Sequence, residues 1–175
     1  LQKLATFHQT DAQPAARLAV DLDRLVFGSN KAVGEEKKAR YIAALKRFAE
    51  QNGDHEISAS ARFHWASALH DDNQPAEAHA IASQGAKVFP RSLGGQQCLQ
   101  LVKLIEMPSS EVTTERVWNE PWPSIDIQYR NITALHFRLV KMDWAKRIAV
   151  QRYRPEQLTE PDRQELLRAK PAKQW

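Results

Sequence analysis

Ala66-Ser67-Ala68-Leu69-His70-Asp71-Asp72-Asn73-Gln74-Pro75-Ala76-Glu77-Ala78-His79-Ala80-Ile81-Ala82-Ser83-Gln84-Gly85, carried on to Pro90, is the stretch from which the rest of the chain can be read. Its small residues fall in a pattern: Ala66, Ala78, Gly85 and Pro90 are spaced 12, 7 and 5 apart. Small side chains at such positions let two helices approach closely, while larger neighbours fill the flanks. The polar run from Asp71 to Gln74 breaks the first helix, and Pro75 suits the opening of the second because its missing N–H would be unpaired there anyway. The reading is a helix over 57–70 with Ala61, Trp65, Ala68 and Leu69 on one face. A second helix starts at Pro75 and presents Ala78, Ile81, Ala82, Gly85, Val88 and Phe89.

Working back 34 residues from Ala78 and Ala82 gives Ala44 and Phe48, an Ala-x3-Phe pair at matching points; Ala66 maps to Ala32, with Gly34 beside it. Further helices flank the pair. One opens at Pro14 and carries Leu18, Leu22, Leu25 and Val26 up to a break at Gly28-Ser29-Asn30. Another starts near Glu35–Glu36, where acids suit the positive helix end, and buries Ile42, Leu45, Phe48 and Ala49 before Asn52-Gly53. A last one spans about 93–106 and ends before Pro108. It sets Cys98, Leu101, Val102 and Ile105 in one apolar stripe, where a thiol packs as a small hydrophobe. The helical part resembles a degenerate tetratricopeptide array of about two units plus extra helices, with an irregular helical bundle as the alternative.

After Pro108 the character changes. Val112, Thr113, Thr114 and Val117 are β-branched, as strands favour, and Pro121-Trp122-Pro123 turns the chain. Ile125, Ile127 and Tyr129 alternate with Asp126, Gln128 and Arg130; Leu135, Phe137 and Leu139 repeat the alternation, so a hairpin or meander is expected. Past Pro155, Leu158, Leu166 and Leu167 read as helix, with Pro161 just inside its start. Three strands do not close a sandwich. The expected fold class is therefore α+β: tetratricopeptide-like antiparallel helical repeats over 1–108, then a partial antiparallel β domain with an inserted helix over 109–175. Leu1 is not Met, and a helical stretch lies just before Trp175, so both ends are expected to be cut.

With 175 residues, 42% hydrophobic and 26% charged, the chain has the composition of a folded globular protein. A single cysteine excludes an internal disulfide framework. The net charge of +4 comes mostly from residues 111–175, where Arg138, Lys141, Lys146, Arg147, Arg152 and Arg154 gather with Trp144 and Tyr153 interleaved. Basic and aromatic residues together suit stacking on nucleic acid, but no nucleic-acid-binding signature accompanies them. A solvated face or a protein interface is the expectation.

The search for chemistry ends without a site. His64 and His70 stand six apart on one predicted helix and face different sides; with Asp71 and Asp72 they read as a solvated helix end. Asp54, His55 and Glu56 read as a loop beside Gly53 rather than a ligand set. Gly94-Gly95 is too short to cradle phosphate. No catalytic residue, cofactor-binding residue, metal ligand or cofactor is expected, and the chain is read as no enzyme.

One further resemblance rests on the junction and its flanks. Val112-Thr113-Thr114, Pro121-Trp122-Pro123, Ile127-Gln128-Tyr129-Arg130-Asn131-Ile132-Thr133 and Leu135-His136-Phe137-Arg138-Leu139 resemble the first macroglobulin-type β domain of bacterial alpha-2-macroglobulin-like proteins of the Bacteroidetes kind. There the β domain follows helical repeats, through a linker like Phe89-Pro90-Arg91-Ser92 to Ile105-Glu106-Met107-Pro108-Ser109. The resemblance covers about residues 85–140. It implies a large extracytoplasmic protein of the periplasm or cell envelope, possessing further parts that trap proteases. This region would then be a non-catalytic scaffold or docking arm whose partners are proteins: its own remainder, proteases, or a second copy met through exposed strands. Neither nucleic acid nor a small-molecule substrate is implied. The Cys-x-Glu-Gln thioester order is absent around Cys98, and Asn131-Ile132-Thr133 fits a glycosylation sequon only formally. The competing expectation is a tetratricopeptide-type peptide-binding adaptor.

Overall fold

The structure, a computed structural model, describes residues 1–114, 124–151, 154 and 156–175. It is mixed α+β and divides into two compact units, Leu1–Pro108 and Ser109–Trp175.

The first unit is all helical: α1 (Gln2–Phe7), a 3-10 turn (His8–Thr10), α2 (Ala15–Lys31), α3 (Lys37–Gln51), α4 (Ile57–His70), α5 (Pro75–Val88) and α6 (Leu93–Glu106). The sharpest boundaries have local causes. Pro75 occupies the first turn of α5, and Asn73 in the preceding turn takes φ +56°, a left-handed conformation that asparagine tolerates. Ser92 caps α6 by accepting the Gly95 N–H at 3.0 Å. The α2 helix runs on through Gly28, Ser29 and Asn30, contrary to the expected break. A helical Gly costs only about 1 kcal/mol relative to Ala. The chain leaves helix at Ala32 and turns at Gly34, with φ +104°. Ala32 is exposed at the C-cap, so it does not occupy a place equivalent to the buried Ala66.

Each helix from α2 to α6 packs on the next, and α2, α4 and α6 also pack on one another in series. Among the described residues α3 and α5 make no such contact. The arrangement is a zigzag in which α4 touches all four of its neighbours. Its Ala61, Trp65, Ala66 and Leu69 join Leu18, Leu22, Leu45, Phe48, Ala78, Ala82, Cys98, Leu101 and Ile105 in a continuous core. Glycines set the spacing. A Cβ on Gly85 would lie 2.6 Å from the Cys98 sulfur and 3.3 Å from the Arg62 Cβ, so α4, α5 and α6 close on a point with no room for a methyl group. A Cβ on Gly94 would strike the Ser60 backbone, and one on Gly95 the Phe89 carbonyl. The glycine pair is thus a packing device between α6 and the α4–α5 hairpin.

The second unit contains β1 (Ser109–Thr114), β2 (Ile125–Arg130), β3 (Arg138–Leu139), α7 (Trp144–Val150), α8 (Glu160–Arg168) and β4 (Lys173–Gln174). β1 pairs antiparallel with β2, setting Ser110 opposite Tyr129, Val112 opposite Ile127 and Thr114 opposite Ile125 on one face. β3 pairs antiparallel with β4 rather than with β2. The expected β2–β3 hairpin is not formed. Alternation tells which face a strand buries, not which strand lies beside it, and here Phe137 and Trp175 exchange backbone hydrogen bonds of 3.0 and 3.2 Å while their rings stack. Val117, Pro121, Trp122, Pro123, Arg152, Tyr153 and Pro155, which entered the sequence reading, lie outside the described residues. The final helix begins at Glu160 with Pro161 just inside its start, leaves Leu158 before it, and opens with a Thr159–Asp162 capping box. α7 was not foreseen; Asp143 caps it by accepting the Lys146 N–H at 3.0 Å. No described residue of the second unit is buried.

Candidate functional site

The residues of α4 that do not enter the core form its second face. Phe63, His64, Ser67 and His70 recur at helical spacing and are all half-buried, since flanking helices rise on both sides. Two clefts result, and they share Ser67 and Asp71 as a common wall. The first, about 560 Å³, lies between α4 and α6. Its floor is Phe63 and Leu101, its rim Leu93 and Leu104, and its polar lining Gln96, Gln97 and Gln100. Leu93 is 72% exposed, and Leu104 on the same rim is exposed as well. The second, about 430 Å³, lies among α2, α3 and α4 and is lined by Ser29, Asn30, Lys37, Tyr41 and His64.

Gln96, Gln97 and Gln100 offer amide donors and acceptors to the first cleft. The His64 imidazole is pushed below its ordinary pKa by burial, against an opposing pull from Asp23, so it sits neutral in the second cleft. Tyr41 beside it is held above the ordinary phenol value by the same desolvation. Asp72 accepts from Lys38 at 2.7 Å and from Gln74 at 2.8 Å, and these hydrogen bonds hold its carboxyl below the usual range. That contact ties the α4–α5 turn to α3. His70 and Asp71 approach to 4.0 Å, while His64 points to the other cleft, so the acids and histidines do not converge. His55 accepts the Ile57 N–H at the start of α4, which makes it part of a helix end. Among the described residues no group of three or more His, Cys, Asp or Glu is placed to hold a metal ion.

Two features, the His79–Glu106 pair and the burial of Arg62, had no counterpart in the sequence reading. His79 on α5 pairs with Glu106 on α6 at 2.8 Å. Among the described residues the buried Arg62 Nη1 and Trp65 Nε1 have no hydrogen-bond partner. The hydrophobic stem of Arg62 packs beside Gly85, and Lys46 lies over the Trp65 ring. Cys98 lies fully buried, its thiol donating weakly to the Ala59 carbonyl at 3.4 Å and pushed up to about 11 by burial. Such a thiol is inert packing.

In the second unit two basic residues, Arg138 and Arg147, tie elements together. Arg138 donates to the carbonyl oxygens of Leu167 and Ala169 at the C-terminal end of α8, where a cation complements the helix dipole. Arg147 bridges Gln151, the Gln157 carbonyl and Asp162, the last at 3.2 Å. Asp162, held well below the usual carboxylate range by Arg147 and Thr159, is thereby fixed at the head of α8. Apolar side chains remain outside: Ile125, Tyr129, Leu139, Trp144, Ile148, Val150 and Leu167 are all exposed. Among the described residues no helix is long and apolar enough to cross a membrane. Set against protein-family models, curated proteins and solved structures, the chain finds no match in any of the three comparisons.

Proposed function

We propose that this chain is a non-catalytic scaffold and docking region of a large alpha-2-macroglobulin-like envelope protein, with protease trapping the work of the whole protein. The observation that supports this reading is the unequal burial of the two units. Among the described residues every buried hydrophobic side chain belongs to residues 1–108, whereas the described strands and helices of 109–175 leave apolar side chains uncovered. A sheet of two strands with one apolar face is marginal by itself and is completed by more strands or a packed partner. The strand residues in question are those on which the family resemblance rests. Hydrogen exchange tests the reading. The amides of 124–140 are expected to exchange rapidly in this chain and to gain protection in a longer chain of the same protein carrying roughly 80–100 further residues, the scale of one sandwich domain. Slow exchange across 124–140 in the short, monomeric chain would overturn it.

A second reading, a peptide-binding adaptor, is favoured by the paired clefts along α4. An extended peptide would lay its backbone against Gln96, Gln97 and Gln100 and one apolar side chain between Leu93 and Leu104. Fluorescence anisotropy with a library of short extended peptides decides it. Binding abolished by Leu104→Arg supports the adaptor, and no binding by any member removes it.

A further inference from the structure

The outer edge of β2 carries a self-complementary sequence. Ile125-Asp126-Ile127-Gln128-Tyr129-Arg130 is hydrogen-bonded to β1 along one side only; among the described residues no strand lies along the other. Asp126 and Arg130 are exposed, and neither has a side-chain partner among the described residues. An antiparallel copy of the same strand, centred on Gln128, would place Asp126 opposite Arg130 twice over. It would also set Ile127 opposite Tyr129 twice, with the two Gln128 amides facing each other. Directly opposed residues share a face, so the apolar sides of both ribbons would lie together.

The alternatives are poorer. A shift of one residue turns the apolar side of one copy to the polar side of the other. A shift of two residues keeps the faces but separates Asp126 from Arg130. On the β1 edge, centring on Glu111 would oppose two acids, and no other register there offers an ion pair.

The geometry points to a second copy of this chain as the occupant of the β2 edge, in a two-fold antiparallel pair that makes a four-stranded sheet β1-β2-β2-β1. The inference rests on the reading of the ribbon as an incomplete sheet and adds the partner, edge and register. Pairing supplies the open backbone groups of β2 with partners and joins the Val112, Ile125, Ile127 and Tyr129 side chains of both copies on one face. A contact of this size is weak, so association is expected in the micromolar range.

Sedimentation equilibrium of the whole chain, from about 1 to 300 µM, measures it. Asp126→Arg alone puts four cations at the junction and Arg130→Asp alone puts four anions there, and each is expected to weaken dimerisation about tenfold or more. The double variant Asp126→Arg/Arg130→Asp restores opposed charges and should dimerise again. Mixing the two single variants should give a heterodimer, because one supplies only cations and the other only anions. Helical circular dichroism checks that the first unit is unchanged in every variant, and amide exchange of 160–168 checks that the second unit is. A monomeric wild-type chain across the range, or a dimer indifferent to these substitutions, would overturn the proposal. Neither result touches the scaffold reading, which the longer chain tests separately.

Discussion

Adding the same methyl group at two glycines should move stability in opposite directions. Gly28 is exposed within α2, and a Cβ there would meet nothing within 4 Å. Gly28→Ala therefore reduces only the freedom of the unfolded chain and improves helix propensity, a gain of about 0.5–1 kcal/mol. Gly85 would enjoy the same gain, but its new Cβ would lie 2.6 Å from Cys98 Sγ, 3.3 Å from Arg62 Cβ and 3.5 Å from Cys98 Cβ. None of these atoms is the loose end of a long side chain. Relief requires α5 to move away from α4 and α6, and overpacking of this kind costs about 1–3 kcal/mol. The balance is a loss of about 1–2 kcal/mol for Gly85→Ala. For a unit of this size that is a fall of roughly 4–16 °C in Tm, against a rise of roughly 2–8 °C for Gly28→Ala. Cys98→Ala removes the sulfur that causes the closest clash, so in that background Gly85→Ala should cost about 1–2 kcal/mol less than in the wild type. Urea unfolding followed by helical circular dichroism yields all four corners of the cycle. If Gly85→Ala raised stability in step with Gly28→Ala, or the coupling to Cys98 were near zero, the three-helix contact would be wrongly placed.

The Cβ atoms added by Gly94→Ala and Gly95→Ala meet backbone atoms first, Ser60 N and Phe89 O, so each should cost at or above the upper end of the about 1–3 kcal/mol overpacking range; melting curves of the two variants check this. The Cys98 thiol, buried and raised to about 11, should react with a disulfide reagent only as fast as the helical unit opens, and labelling faster than opening would contradict its burial. The His64 pKa is lowered in the folded state, so the unfolded chain binds its proton more readily. Stability is then fully present above the unfolded value of 6.5 and falls as the pH drops below it. His64→Gln should flatten that part of a stability-versus-pH curve measured between pH 7 and 5. Arg147→Ala removes the donor that joins α7 to the head of α8, and faster amide exchange over 144–150 and 160–168, with no change in 57–106, is the expected result.

The helices that could be read from the chain to within a residue are those with chemical punctuation. Pro75 opens α5, Ser92 caps α6 and Pro108 follows it, and α4, α5 and α6 run as their apolar spacing predicts. Gly28 misled because an exposed glycine weakens a helix without ending it. α7 was missed because its apolar residues, Trp144, Ile148 and Val150, remain exposed and trace no buried stripe. Strand partners were not legible, since β3 found β4 more than thirty residues away in sequence, a choice made by long-range packing. As for the clefts, the Cys98 stripe shows which side of α6 is buried. It does not say that Gln96, Gln97 and Gln100 face α4 across a gap, because that depends on how Gly94 and Gly95 let α6 seat itself.

The two units are held by different forces, and this bears on how a docking region would work. The helical unit is closed by apolar packing around α4, which is insensitive to salt. The second unit is held by the capping box of α8, the Arg147 bridge, the Arg138 bonds to carbonyl oxygens and the Phe137–Trp175 stack. Of these polar ties, the Arg138 bonds and the capping box lie at the surface, where such contacts contribute little net stability and are screened by ions. Local order in that unit is therefore inexpensive to rearrange. A strand added along β2 would supply both backbone hydrogen bonds and apolar cover for the exposed Ile125 and Tyr129. Binding and completion of the fold then become one event, anchored by a helical module whose own stability does not depend on it.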